Sequence, residues 1–114
     1  MRKKTIPAPF ELMITIVERG VSAKVSEILR RHDCQFSLTT LGEGTARSQV
    51  SDIFGFGIVN RDVVWSFVDP LMAGKILKAF DEELELSKPA KGIAMTIPVQ
   101  AGSNLLLDVL GINY

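Results

Sequence analysis

One cysteine, Cys34, and one histidine, His32, are all that this chain of 114 residues offers of the two side chains most used for metal binding and nucleophilic chemistry. A single cysteine cannot close an internal disulfide, which agrees with a reducing compartment. His32 and Cys34 flank Asp33, yet two ligands fall short of the three or four that a zinc site uses, and a nucleophile with its base needs a third, orienting group. No metal and no catalytic residue is therefore expected, and this end of a helix reads as ordinary. An excess of one charge is also missing. Thirteen Lys and Arg balance thirteen Asp and Glu, so nothing asks for a nucleic acid or another polyanion as partner. No apolar run reaches the length of a membrane span. The basic start, residues 1–10 (MRKKTIPAPF), has neither the apolar core nor the small-residue cleavage site of a leader. These absences predict a cytoplasmic protein with no membrane span, folded as one domain over residues 11–114 behind a flexible N-terminal tip of residues 1–10.

What is present is hydrophobic patterning, with 46% apolar residues. Residues 12–17 (LMITIV) are β-branched, short and followed by Arg19 and Gly20, which favours a strand that is apolar on both faces. Val21, Val25, Ile28 and Leu29 then fall at helical spacing, with Lys24, Glu27, Arg30 and Arg31 opposite them, and the helix ends near Asp33. Residues 35–41 alternate as a second strand. Gly42, Gly44 and Thr45 read as a tight turn whose N–H groups could cradle an anion, with Thr45 capping a short helix over residues 46–54 that Gly55 closes. A turn of this kind is more often a plain connection than a phosphate site.

Residues 63–68 (VVWSFV) form a third strand, and Asp69 and Pro70 supply the cap and first position of a second helix that turns Met72, Ile76, Leu77, Phe80 and Leu84 inward. Gly74 within it is expected to mark close packing against a strand. The acidic run Asp81, Glu82, Glu83 and Glu85 opposes the helix dipole, so a solvated or partner-facing surface is the simplest reading. Residues 87–92 (SKPAKG) form a loop with two lysines, and residues 93–99 a fourth strand with Pro98 at its end or on an edge.

The order β-α-β-β-α-β predicts an α+β, ferredoxin-like domain: an antiparallel four-stranded sheet with two helices on one face. Two helices cannot cover both faces. Leu12, Ile14 and Ile16 nevertheless oppose Met13 and Val17 on the first strand, and Val63, Trp65 and Phe67 oppose Val64 and Val68 on the third. An apolar second face left to water marks an interface, so an oligomer is expected, unless the tail with Leu105, Leu106, Leu107, Val109 and Leu110 covers it as a short helix.

In residues 38–46 (LTTLGEGTA), in the acid-rich helix end and above all in residues 88–99 (KPAKGIAMTIPV), the chain resembles the nitrogen regulatory PII-like proteins. The resemblance implies a homotrimer with the open sheet faces turned inward, and a small anionic effector, usually an adenine nucleotide, held between subunits. It also implies a long loop that reports the bound state to a target protein, in nitrogen metabolism. Carried onto this sequence, it assigns ligand binding to Gly42, Glu43, Gly44, Thr45 and Arg47 of one subunit and to Lys88, Lys91 and Gly92 of a neighbour, with no other cofactor. The chain differs from the family pattern in three respects. The connection after Thr45 is short and holds no tyrosine, Pro89 and Ala90 stand where an acidic residue between glycines is usual, and residues 100–104 (QAGSN) lack the usual arginine pair. Two other readings of the residues stay open: a structural or metal-tolerance type of trimer without nucleotide, and a small phosphatase or isomerase on the same fold.

Overall fold

The computed structural model describes residues 10–34, 36–45, 58–89 and 91–110. In chain order they form β1 (Glu11–Glu18), α1 (Ser22–Arg31), β2 (Ser37–Thr45), β3 (Ile58–Val68), α2 (Pro70–Leu84), β4 (Gly92–Pro98) and a short α3 (Asn104–Val109). The sheet order is β2-β3-β1-β4, and every neighbouring pair is antiparallel. The expected β-α-β-β-α-β architecture is thus the one that forms, with both long helices on one face.

Alternation along β1 sorts its side chains. Met13, Thr15 and Val17 are fully buried and stand in register with Ser66, Val64 and Asp62 of β3. Over them lie Val25, Ile28 and Leu29 of α1 and Ala73, Ile76, Ala79, Phe80 and Leu84 of α2, which together make the core. The ends of these helices follow from local chemistry. Asp69 accepts a hydrogen bond from the Leu71 N–H at 2.9 Å with Pro70 behind it, and Arg30 and Arg31 sit in the last turn of α1, where cations favour the dipole. The acidic run is partly structural rather than only solvated, because Glu83 of α2 accepts a hydrogen bond from the Arg31 guanidinium of α1 and raises its pKa.

On the other face β1 presents Leu12, Ile14 and Ile16, in register with Phe67, Trp65 and Val63 of β3 and with Ile97, Met95 and Ile93 of β4. The Trp65 indole N–H is satisfied within this face by the Thr40 hydroxyl at 2.8 Å, which leaves ring surface outward. Leu38, Met95 and Ile97 remain 54%, 41% and 46% exposed. The tail does fold as a helix, with Ser103 capping it through the Leu106 N–H and Leu107 fully buried. Its described part leaves the open face uncovered at Leu38, Met95 and Ile97, and Val109 and Leu110 sit with Phe10 and Met72 at one end of the sheet.

Two expectations are corrected. Gly42 and Gly44 are not a turn: they belong to β2, where Gly42, Glu43, Gly44 and Thr45 pair with Arg61, Asn60, Val59 and Ile58. The cross-strand ladder overrides the turn propensity of Gly and of Asn60, and a Cβ at Gly42 would lie 3.0 Å from Val63 Cγ2, so glycine serves close strand approach there. The helix expected over residues 46–54, and Arg47 with it, lie outside the described residues. Gly74 does not mark close packing either, because nothing lies within 4 Å of the place where its Cβ would be.

Opposite outcomes are expected for two alanine substitutions read by urea unfolding. Gly74→Ala should stabilise by about 0.5–1 kcal/mol, since the site is open and alanine favours the helix. Gly92→Ala should destabilise by at least about 1–3 kcal/mol, because φ is 139° and the new Cβ would run into the Ile16 carbonyl oxygen.

Candidate functional site

Register brings the two candidate segments to one end of the sheet. Gly42 pairs with Arg61, Arg61 with Glu18, and the preceding residue of β1, Val17, with Gly92. Lys91 therefore lies level with Glu18, and its Nζ is 3.8 Å from Glu18 Oε1. The row Gly42, Arg61, Glu18, Lys91 crosses the whole sheet, with its two outer members on opposite edges. Three strand spacings separate those edges, roughly 14 Å. Within one chain the β2 residues and the lysine loop share an end of the sheet but do not meet.

The lysine loop is held by its own acids. Lys88 pairs with Glu85 at 3.3 Å, and Lys91 lines a hollow of about 190 Å³ with Glu18, Val21, Lys24, Glu83, Leu84 and Glu85. Both pairs are exposed, so an anion can compete for the ammonium groups at little cost. Gly92, by contrast, is buried at the start of β4 and admits no side chain, so its role is to let β4 approach Ile16 and Val17. Glu43 faces solvent, away from the row. Arg47 lies outside the described residues.

Arg61 and Asp62 are side chains that sequence reasoning passed over, because the third strand is read as starting only at residue 63, whereas β3 begins at Ile58. Arg61 is buried at 7% exposure between Gly42 and Glu18 in the row, a cation at the foot of the β2–β3 arm. Asp62, on the helix side, organises the β1–α1 turn: it accepts the Gly20 N–H at 2.8 Å and pairs with Arg19 at 3.5 Å. Burial pushes its carboxyl pKa up, but hydrogen bonds from the Gly20 N–H and from the Ser22 hydroxyl and N–H, with the Arg19 charge, outweigh burial and hold it below the ordinary value. A period-two pattern extended backward from Val64 would have found Asp62 on the buried face.

His32 and Cys34 lie at the opposite end. His32 Nδ1 is 2.8 Å from the Ile28 carbonyl oxygen, and the Cys34 thiol lies within donating distance of the carbonyls of Phe36 and Phe67. Burial pushes the Cys34 pKa up despite the Phe36 contact, which keeps it a thiol and a poor nucleophile. Among the described residues no group of three or more His, Cys, Asp and Glu is placed to hold a metal ion, and no helix is long and apolar enough to cross a membrane.

No family model and no curated protein sequence matches the chain. Solved structures do. CPII, a nitrogen regulatory PII-like protein from Thiomonas intermedia K12 solved with ADP, AMP and bicarbonate, superposes with a TM-score of 0.64 at 16% identity, covering 84% of this chain and 96% of its own. A provisionally assigned PII-like signalling protein from Thermus thermophilus gives 0.64 at 16% identity over 86% and 91%. The Bacillus subtilis GlnK–ATP complex gives 0.60 at 10% identity over 80% and 82%. The chain therefore has the fold of the PII-like proteins.

The Asp62 contacts make a signed prediction. Because the folded pKa is lowered, the stabilisation is fully present above the unfolded value of about 3.9 and is lost as pH falls through the folded value. Urea midpoints followed downward from about pH 6 should fall in the acid range for the native chain and fall less for Asp62→Asn, which is already less stable at neutral pH.

Proposed function

We propose that this chain is a PII-like regulatory protein, a homotrimer that binds a small anionic effector, an adenine nucleotide, and signals its state to a target protein in nitrogen metabolism. The effector site lies where residues 42–47 of one subunit meet residues 88–92 of a neighbour. The observation that carries this reading is the row across the sheet end: its glycine arm and its lysine loop are on opposite edges, so only a second copy can bring them together. The open apolar face around Trp65 and Met95 gives the copies a reason to associate. The fold adds weight, since CPII is solved with ADP, AMP and bicarbonate and GlnK with ATP. Arg61, buried beside Gly42, supplies a second cation to the cleft, in a chain where the usual arginine pair is missing after the last strand.

A second reading, a trimer without nucleotide, is favoured by one observation: Lys88 and Lys91 both already have carboxylate neighbours, Glu85 and Glu18. The two readings separate by titration calorimetry with AMP, ADP and ATP. Binding should be found, with AMP or ADP preferred to ATP, and Lys91→Ala should lose roughly 1.5–3 kcal/mol, about one to two orders of magnitude in affinity. No heat with any of the three at millimolar concentration establishes the second reading, and binding with unchanged affinity in the variant takes Lys91 out of the effector site. Light scattering tests the assembly independently: the mass of three chains is expected at micromolar concentration, and a monomer would sink the inter-subunit site.

A further inference from the structure

At the end of the sheet away from the lysine loop lies a cavity of about 360 Å³ that the proposed effector site does not use. Its walls come from five parts of the fold: the start of β1 at Phe10, the end of α1, the start of β2, the β3–α2 junction, and the tail helix α3 at Val109 and Leu110. The volume lies at the small end of the range for small-molecule sites, and the composition is the usual one for such sites, an apolar body with a few polar groups. Phe36 and Phe67 form a tilted aromatic pair on one wall, with centroids 5.7 Å apart and an interplanar angle of 42°. Met72 lines the same cavity and adds an adaptable side chain.

The polar groups have one sign. Asp33 and Asp69 line the cavity, both exposed toward solvent, whereas among the described residues that line it there is no Lys or Arg. Asp69 uses one carboxylate oxygen, Oδ1, to cap α2. His32 also lines the cavity, with its Nδ1 2.8 Å from the Ile28 carbonyl oxygen. Two carboxylates beside aromatic rings repel an anion and accept from an N–H donor. A protonated amine on an aromatic or aliphatic body matches this lining, since carboxylates favour its charge by charge-assisted hydrogen bonding and the rings favour its body.

We propose that this cavity is a second ligand site, selective for a small amphipathic amine whose apolar part lies against Phe36, Phe67 and Met72 and whose ammonium group faces Asp33 and Asp69. None of its residues belongs to the effector row, although Phe67 also stands on the open apolar face through which the copies are proposed to associate.

The test uses three probes with the same ring and different charge: phenethylamine, 2-phenylethanol and 3-phenylpropionate. Their binding to the full chain is followed by amide and methyl shifts in NMR. Phenethylamine should bind in the millimolar range or tighter, shifting Cys34, Met72 and Leu110, and 3-phenylpropionate should bind at least about tenfold more weakly. The variants Asp33→Asn and Asp69→Asn remove charge while keeping the local backbone, since asparagine tolerates the positive φ of 64° at position 33 and is a good helix cap at position 69. In the double variant phenethylamine should fall to the affinity of 2-phenylethanol. Equal affinity for all three probes, shifts that map elsewhere, or no binding of phenethylamine would overturn the proposal. A Leu107→Ala chain is expected to loosen the α3 wall and weaken all three probes alike, which separates loss of the cavity from loss of its charge.

Discussion

The antiparallel pairing of β1 with β3 is the constraint on which the rest depends. Both strands carry large apolar side chains on both faces, and both occupy the middle of the sheet, so neither face can be surrendered to water without cost. Two amphipathic helices settle one face. The buried positions of α1 and α2 join Met13, Val17, Val64 and Val68 in one core, and the small polar Thr15 and Ser66 fit beneath the helices where a larger residue would hold them off. The other face keeps Leu38, Met95 and Ile97 partly in water, and the described segment after β4 is drawn to the end of the sheet instead. Among the described residues nothing covers that part of the face, and the proposed association would bury it in the same event that completes a site split between two edges.

Electrostatics at the two ends of the sheet differ in kind. At the loop end, Lys24, Lys88 and Lys91 stand among Glu18, Glu83 and Glu85, a balanced surface from which an incoming anion would have to win lysines away from carboxylates. Such exposed pairs are worth little, so the exchange is close to neutral until the ligand is desolvated between two chains. If the proposed effector binds here, a weak, competitive site of this sort would suit one present at high concentration and would report its level rather than retain it.

Much of this architecture was legible in the residues. Asp69 with Pro70 marked the start of α2, the alternation of residues 63–68 marked the second half of β3, and the two-sided apolarity of β1 marked an uncovered face, because each signal is local and each is used locally. What was not legible depended on partners distant in the chain. Gly42 and Gly44 carry the chemistry of a turn, and only the ladder to Arg61 and Val59 makes them strand. Gly74 suggested close packing, yet its neighbours stand away from it, and the structure gives no physical reason for glycine there. The Arg31–Glu83 contact joins two helices across 52 positions of sequence, which no periodicity can announce. For the proposed effector residues, sequence could name lysines and glycines but could not show that they occupy opposite edges, since strand order is a property of the whole sheet.

The two ends are connected by rigid elements. Phe36 and Gly42 lie six positions apart where the chain enters and runs up β2, and Phe67 and Arg61 six apart along β3, roughly 20 Å in each case. Strands of that length in a paired sheet do not relay sub-ångström shifts by bending, so any coupling between an occupied cavity and an occupied effector row has to run through a shared equilibrium. Assembly is the available one. Phe67 belongs both to the cavity wall and to the open apolar face, with Phe36 packed against it, so a ligand that rests on this pair alters the surface that a neighbouring chain would cover. If the assembled form holds the cavity ligand better than the free chain does, that ligand favours assembly and with it the split effector site, and by reciprocity the effector tightens the cavity. If the neighbouring chain instead covers the aromatic pair, the two ligands oppose each other, and the sign of the coupling becomes a direct readout of where the neighbour's edge falls on the Phe36–Phe67 wall.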